Sequence, residues 1–210
     1  MEKILIYQVL PRLYGNLKKK QVHNGSLETN GCGKLNDFTS DRLKQIKKLG
    51  ITHIWYTGII EHATQTDYTN FGIKKDHPAI VKGKAGSPYA IKDYYDIDPD
   101  LACDVKKRMK EFESLVSRTH KEGLKVIIDF VPNHVAREYH SDAKPKNVKD
   151  LGEEDVKEVF FFNQNNFYYL VNESLEGRFD MLGGAEKPYS ETPCKATGNN
   201  YFANNPGIYE

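Results

Sequence analysis

Asp129, Asn133 and His134 place a carboxylate, an amide and an imidazole within six residues of chain. Three polar side chains of these types clustered behind one apolar run could bind a ligand or do chemistry. The elements that must present them are legible nearby. Leu124, Val126, Ile127, Ile128, Phe130 and Val131 form an apolar run too short for a typical helix, which predicts a fully buried, parallel strand over residues 124–131. Pro132 cannot donate a ladder hydrogen bond and ends the strand, so Asn133 and His134 fall in the loop beyond. The C-terminal edge of a parallel sheet is where ligands and chemistry gather in α/β proteins. A plainer reading of the same residues is a buried Asp paired to an Arg elsewhere, followed by an Asn-His turn.

The rest of the chain supplies partners for that strand. Residues 4–10 (ILIYQVL) read as a first strand, ended by Pro11, and residues 14–38 as a long glycine-bearing loop. A helix is predicted next, with Thr39 as its N-cap, Phe38 stapled onto Leu43, Ile46 and Leu49 continuing the apolar face, and Gly50 as its stop. Residues 51–60 (ITHIWYTGII) read as the second strand and residues 61–99 as a polar connection. A second helix starts at an Asp104 cap, carries Val105, Met109, Phe112, Val116 and Thr119 on one face, and ends at Gly123. The order β-α-β-α-β implies right-handed crossovers and a parallel sheet. After His134 the pattern changes to charged, Gly- and Pro-punctuated sequence with aromatic runs at Phe160-Phe161-Phe162 and Phe167-Tyr168-Tyr169, which predicts a small irregular β-containing region.

Composition excludes several classes. Thirty Lys plus Arg against 29 Asp plus Glu leave a net charge of +1, so capture of nucleic acid or of an anionic membrane is not expected. No apolar stretch approaches the roughly 20 residues that span a bilayer, and no signal peptide is read at the N-terminus, so a cytoplasmic location is expected. Cys32, Cys103 and Cys194 have no short spacing that would indicate a disulfide framework or a zinc site.

The run Asp129-Phe130-Val131-Pro132-Asn133-His134 resembles the first signature region of the alpha-amylase family of glycoside hydrolases, at the end of the third barrel strand. A second segment agrees: Tyr89, in Gly86-Ser87-Pro88-Tyr89-Ala90-Ile91, falls where that family places a tyrosine under the sugar ring being cleaved, and Asp93-Tyr94-Tyr95-Asp96-Ile97-Asp98-Pro99 resembles its run into the second helix. The resemblance implies an α/β fold: a partial (β/α)8 TIM barrel comprising the first three strands in residues 1–134, and an irregular β-containing subdomain inserted after strand three in residues 135–210. It further implies His134 and Tyr89 as substrate contacts, Asp129 as an organiser of the site, and Asn133 as a ligand of a possible calcium ion. The substrate class so implied is an α-glucan or maltooligosaccharide. Ser87-Pro88 departs from the His-Gly found in many members, and the Gly-Ser-Pro-aromatic-Ala-Ile pattern resembles the maltosyltransferase branch, which leaves hydrolysis and transfer both open.

Retaining cleavage of a glycosidic bond needs two carboxyl groups roughly 5 Å apart. In the resembled family these stand on strands four and five. Arg178-Phe179-Asp180 imitates the family's Arg-x-Asp motif, but the residues before it are not a buried strand, so no catalytic carboxylate is assigned and the chain alone is expected to be inactive. A non-catalytic carbohydrate-binding protein that kept the sugar contacts is the alternative.

Overall fold

The computed structural model describes residues 3–177 and 189–196. In chain order its main elements are β1 (Ile6–Val9), a one-turn helix α1 (Leu27–Asn30), α2 (Ser40–Lys48), β2 (His53–Tyr56), β3 (Ile60–His62), β4 (Ile91–Ile97), α3 (Arg108–Lys121) and β5 (Lys125–Ile128). Four short strands follow: β6 (Tyr169–Leu170), β7 (Leu175–Gly177), β8 (Tyr189–Glu191) and β9 (Cys194–Lys195). β1, β2 and β5 form a parallel sheet in that order, in the register Tyr7–Ile54–Val126 and Gln8–Trp55–Ile127. Period-two alternation then separates two faces. Tyr7, Val9, Ile54, Tyr56 and Val126 point into the core, whereas Gln8, Trp55 and Ile127 stand on the opposite, partly solvated face.

The core is closed by the helices. Thr39 Oγ1 accepts the Arg42 N–H at 3.4 Å, and Leu43 and Ile46 deliver the buried stripe of α2. Leu115 and Thr119 do so for α3, while Met109 is 38% exposed, so the buried face is rotated from the predicted one toward Leu115. Leu35, Phe38, Leu43, Ile54, Leu115 and Leu124 are all at most 1% exposed, and each contributes about 1.5–3 kcal/mol by leaving water. The Tyr56 hydroxyl is satisfied within this core by Thr119 Oγ1 at 2.7 Å.

Three expectations need correction. The predicted second strand over residues 51–60 is two elements. Gly58 has φ 71°, a left-handed conformation that breaks the strand after Tyr56, and β3 leaves the parallel sheet to pair antiparallel with β4. The polar connection over residues 61–99 therefore contains sheet. Its polarity misleads because Glu61, Lys92, Asp93, Asp96 and Asp98 are buried rather than solvated. Finally, β5 is not fully buried: Ile128 is 40% and Phe130 71% exposed. β5 is the edge of the three-stranded sheet, so one flank lacks a neighbouring strand among the described residues.

Beyond β5, β6 pairs with β9 and β7 with β8, both antiparallel. This region packs Leu175, Tyr189 and Cys194 with Ala79 and Ile80 and is clamped by Arg137. The Arg137 guanidinium donates to both Glu191 oxygens at 3.1 and 3.0 Å and to the Lys195 carbonyl at 2.8 Å. Burial would raise the Glu191 pKa, but the charges of Arg137 and Lys195 and hydrogen bonds from the Lys195 N–H and the Tyr189 hydroxyl outweigh it and lower it below the ordinary 4.5. A depressed carboxylate stabilises fully above its unfolded value and loses that contribution as pH falls through the folded value. Amide-exchange protection at residues 189–196 is therefore expected to hold from pH 7 down to about 4.5 and to decline below it. Glu191→Gln should abolish the pH step. A step that persists in that variant would assign it to another group.

Candidate functional site

At the C-terminal edge of the parallel sheet the chain leaves β1 through Pro11-Arg12, β2 through Thr57-Gly58 and β5 through Asp129. Asp129 is half-buried and lies on the same face as Trp55. Its Oδ1 accepts the Trp55 indole N–H, and its Oδ2 accepts the Gly58 N–H at 3.0 Å. The Asp thus ties the end of β5 to the end of β2, and no arginine contacts it among the described residues. A Cβ on Gly58 would lie 2.7 Å from Pro88 Cβ, so the glycine allows the Ser87-Pro88 loop to sit directly on the end of β2. Gly86 is held as tightly, since a Cβ there would meet the Ala63 carbonyl oxygen at 1.7 Å.

That loop carries Tyr89, which is 48% exposed. The exit from β5 is fixed independently. The Tyr94 hydroxyl donates to the Val131 carbonyl, and the Tyr94 ring lies 5.6 Å from that of Phe130. Asn133 and His134 are exposed, with Asn133 Nδ2 and His134 Nδ1 3.2 Å apart. Two residues beyond His134, the Ala136 N–H donates to the Ile91 carbonyl at 2.7 Å, and Ile91 stands two residues beyond Tyr89. Each of the two side chains is thereby within roughly 7 Å of chain from one hydrogen bond, which holds the Tyr89 and His134 loops side by side. Asp129 joins them indirectly, through Gly58 and Pro88. Arg178-Phe179-Asp180 lies outside the described residues. The cavity lined by Arg12, Asn16, Gln21, Asn30, Lys84 and Asp100 includes none of these four side chains.

Two largely buried polar groups were not singled out from the sequence, the second reaching the surface at Asp142. In the first, His62 Nδ1 lies 2.9 Å from Asp98 Oδ2, Arg12 Nη2 lies 2.6 Å from Asp100 Oδ2, and the Tyr68 hydroxyl donates to Asp100 Oδ1 at 2.6 Å. Burial pulls the His62 pKa down, but the Asp98 charge and hydrogen bond overcome it and raise it above the ordinary value. The second comprises Glu61, Asp93, Asp96 and Asp142, each with a carboxylate oxygen within 4.8 Å of the others. Burial is the largest cause pushing Glu61 up to about 9; Lys92 opposes it, and Asp142, Asp96 and Asp93 add to it. The signal was present as alternating acids in Lys92-Asp93-Tyr94-Tyr95-Asp96-Ile97-Asp98, but a carboxylate-rich segment reads as solvated unless its partners are known.

Among the described residues the Glu61 group is the one set of three or more acidic, His or Cys ligands close enough for an ion, and it excludes Asn133 and His134. Asn133 offers an amide oxygen, which by itself is one ligand of the about six to eight that a calcium ion takes.

The family model described as the alpha amylase catalytic domain matches residues 8–173. The chain is similar to trehalose-6-phosphate hydrolase of Bacillus subtilis (strain 168), with 30% identity over 66% of this chain and 18% of that protein. It is similar to maltase 1 of Drosophila virilis, with 28% identity over 72% and 18%, and to the amino acid transporter heavy chain SLC3A1 of Mus musculus, with 30% identity over 62% and 14%. Among solved structures, an alpha-amylase from Lactobacillus plantarum aligns with a TM-score of 0.43 and 29% identity over 64% of this chain and 24% of that one. The chain thus spans less than a quarter of the length of each of these proteins. With the family model matching residues 8–173 of 210, the chain belongs to the alpha-amylase family, within the catalytic domain.

Proposed function

We propose that this chain forms the N-terminal part of the catalytic domain of a glycoside hydrolase acting on α-linked glucans, and that it supplies part of the sugar-contacting floor but not the catalytic carboxylates. In this reading β1, β2 and β5 are the first three strands of a (β/α)8 barrel, residues 135–210 are the inserted subdomain, and the face bearing Gln8, Trp55 and Ile127 turns toward the barrel interior. The observation that carries it is the pairing of the exposed Tyr89 and His134 loops by the Ala136–Ile91 hydrogen bond at the C-terminal edge of the sheet. Tyr89 offers an aromatic face to the apolar C–H surface of a pyranose, and His134 a hydrogen bond to its hydroxyls. Asp129 positions both loops by tying β5 to β2. A calcium ion at Asn133 rests on the family resemblance alone and would need ligands beyond those described. Nothing in charge or apolar length favours nucleic acid, and among the described residues no helix is long and apolar enough to cross a membrane.

In the intact protein, Tyr89→Ala and His134→Ala are each expected to lower kcat/KM for maltotetraose by about tenfold, the equivalent of roughly 1.4 kcal/mol, with little change in Tm because both side chains are exposed. Unchanged kinetics in both variants would overturn the assignment. The similarity to a transporter heavy chain supports one second reading, a non-catalytic binding protein built on the same fold. It predicts saturable maltooligosaccharide binding that the same two substitutions weaken, without turnover in the intact protein.

A further inference from the structure

The Glu61 group is built by an irregularity in the β3–β4 pair. Ile60 pairs with Ile97 and Glu61 with Asp93, so one step along β3 is matched by four along β4, and residues 94–96 form a bulge with no partner on β3. Bulges of this kind re-aim side chains. Here the bulge turns both Asp93 and Asp96 toward Glu61, and Asp142 is drawn in from the segment after β5. Asp93 Oδ2 accepts the N–H groups of Asp142 and Ala143 at 3.1 and 3.3 Å. Arg108 holds the outer side, donating to Asp96 Oδ2 through Nε at 2.8 Å and lying 3.4 Å from Asp142 Oδ2. Glu61 is different from its neighbours. It is 1% exposed, and neither of its oxygens has a hydrogen-bond partner. A buried carboxylate left without a partner is among the costliest polar defects a core can hold. Lys92, whose charge acts on Glu61, gives its hydrogen bond elsewhere, with its Nζ 2.9 Å from Asp76 Oδ2.

We infer that Glu61, Asp93, Asp96 and Asp142 form a binding site for a hard divalent cation of the calcium type, closing the β3–β4 bulge against the segment after β5. Four oxygens of carboxylate type suit such an ion, and softer metals would require His or Cys, of which the group has none. The ligand set favours calcium over magnesium, because calcium accepts a cage of several protein carboxylates in irregular geometry, whereas magnesium keeps most of its waters and is usually held by one or two carboxylates. Charge agrees as well, since the carboxylates of Asp93, Asp96 and Asp142 less the one guanidinium of Arg108 leave two negative charges for a dication to offset before Glu61 is counted. Asp142, whose side chain is 20% exposed, is the entry side and leaves room for water ligands. This site shares no residue with Asn133 and does not depend on the sugar-binding reading.

The test is calcium titration calorimetry together with thermal unfolding on the intact protein after removal of metal with a chelator. Calcium is expected to bind and to raise Tm. Glu61→Gln mimics the protonated acid, so it should fold, lose one equivalent of bound calcium, and lose the matching share of the Tm rise. Asp142→Asn, at the exposed rim, should keep the fold and weaken that equivalent about tenfold. Asn133→Ala should leave it intact. Full calcium stoichiometry and affinity in both Glu61→Gln and Asp142→Asn would overturn the site, as would the absence of any calcium binding by the wild-type protein. Preference for magnesium over calcium at this equivalent would overturn the choice of ion.

Discussion

Arg12→Ala is expected to destabilise the fold by about 3–5 kcal/mol, the loss that follows when one partner of a buried ion pair is removed. Arg12 leaves the end of β1 and reaches Asp100 Oδ2 at 2.6 Å and Asp98 Oδ2 at 3.6 Å, and both acids are 1% exposed. Burial alone would lower the Arg12 pKa, but the charges of Asp98 and Asp100 raise it above the usual arginine value, so the guanidinium stays charged at every accessible pH. Without it, Asp98 keeps His62, and Asp100 keeps the Tyr68 hydroxyl and its own backbone contact to Lys34 Nζ, yet two buried carboxylates would share one titratable cation. Arg12→Lys retains the charge on a shorter-reaching, single ammonium, and a smaller loss is expected. Urea unfolding of the two variants measures both values. A loss below about 1 kcal/mol for the alanine variant would show that water replaces the guanidinium at little cost.

Phe38→Ala should cost a similar 3–5 kcal/mol by a different route, the opening of a cavity. The Phe38 ring is wholly buried, stacked on Tyr14 at 4.3 Å between centroids and met edge-on by Tyr56 at 5.0 Å. Such pairs add about 0.5–1.5 kcal/mol each beyond area burial. Phe38 also joins the end of the long first loop to α2, where Arg118 donates to its carbonyl at 3.2 Å. For a chain of this size the expected fall in Tm is about 10 °C, and Phe38→Leu should recover more than half of it. A fall of only a degree or two would mean that the Tyr14 ring collapses into the vacated space.

These two sites also show what could be read from the chain and what could not. Phe38, Thr39 and Leu43 spelled out a staple, a cap and a buried face through spacing alone, and the structure uses all three as the spacing implies. Gly123 and the apolar run after it likewise marked the end of α3 and the start of β5, because local period and local stop signals suffice for an element of this kind. Arg12, Asp98 and Asp100 gave no such signal. Arg12 is separated from the two acids by more than 80 residues, and buried charges look like surface charges until the partner is known. The same reason hid β3 and β4, whose inward-facing Glu61, Asp93 and Asp96 break the apolar alternation that marks a strand. Trp55, the only tryptophan, stood unremarked in a strand, although its indole N–H holds Asp129. Exposure of β5 was not legible from the strand itself, since an apolar run does not say whether its second neighbour is present. Of the candidate site, residue types came from the motif, while the Ala136–Ile91 hydrogen bond that sets the Tyr89 and His134 loops together is a property of the fold alone.

The central claim is that this chain contributes sugar contacts without the carboxylates that cleave the bond. The most direct measurement incubates the 210-residue chain with maltotetraose and follows bound ligand and newly released reducing ends in the same sample. The account predicts saturable binding that Tyr89→Ala and His134→Ala weaken, and no release of reducing ends above a protein-free blank. Release that scales with the concentration of the chain and disappears on substitution of one of its own carboxylates would contradict it, and would place the catalytic pair within residues 1–210.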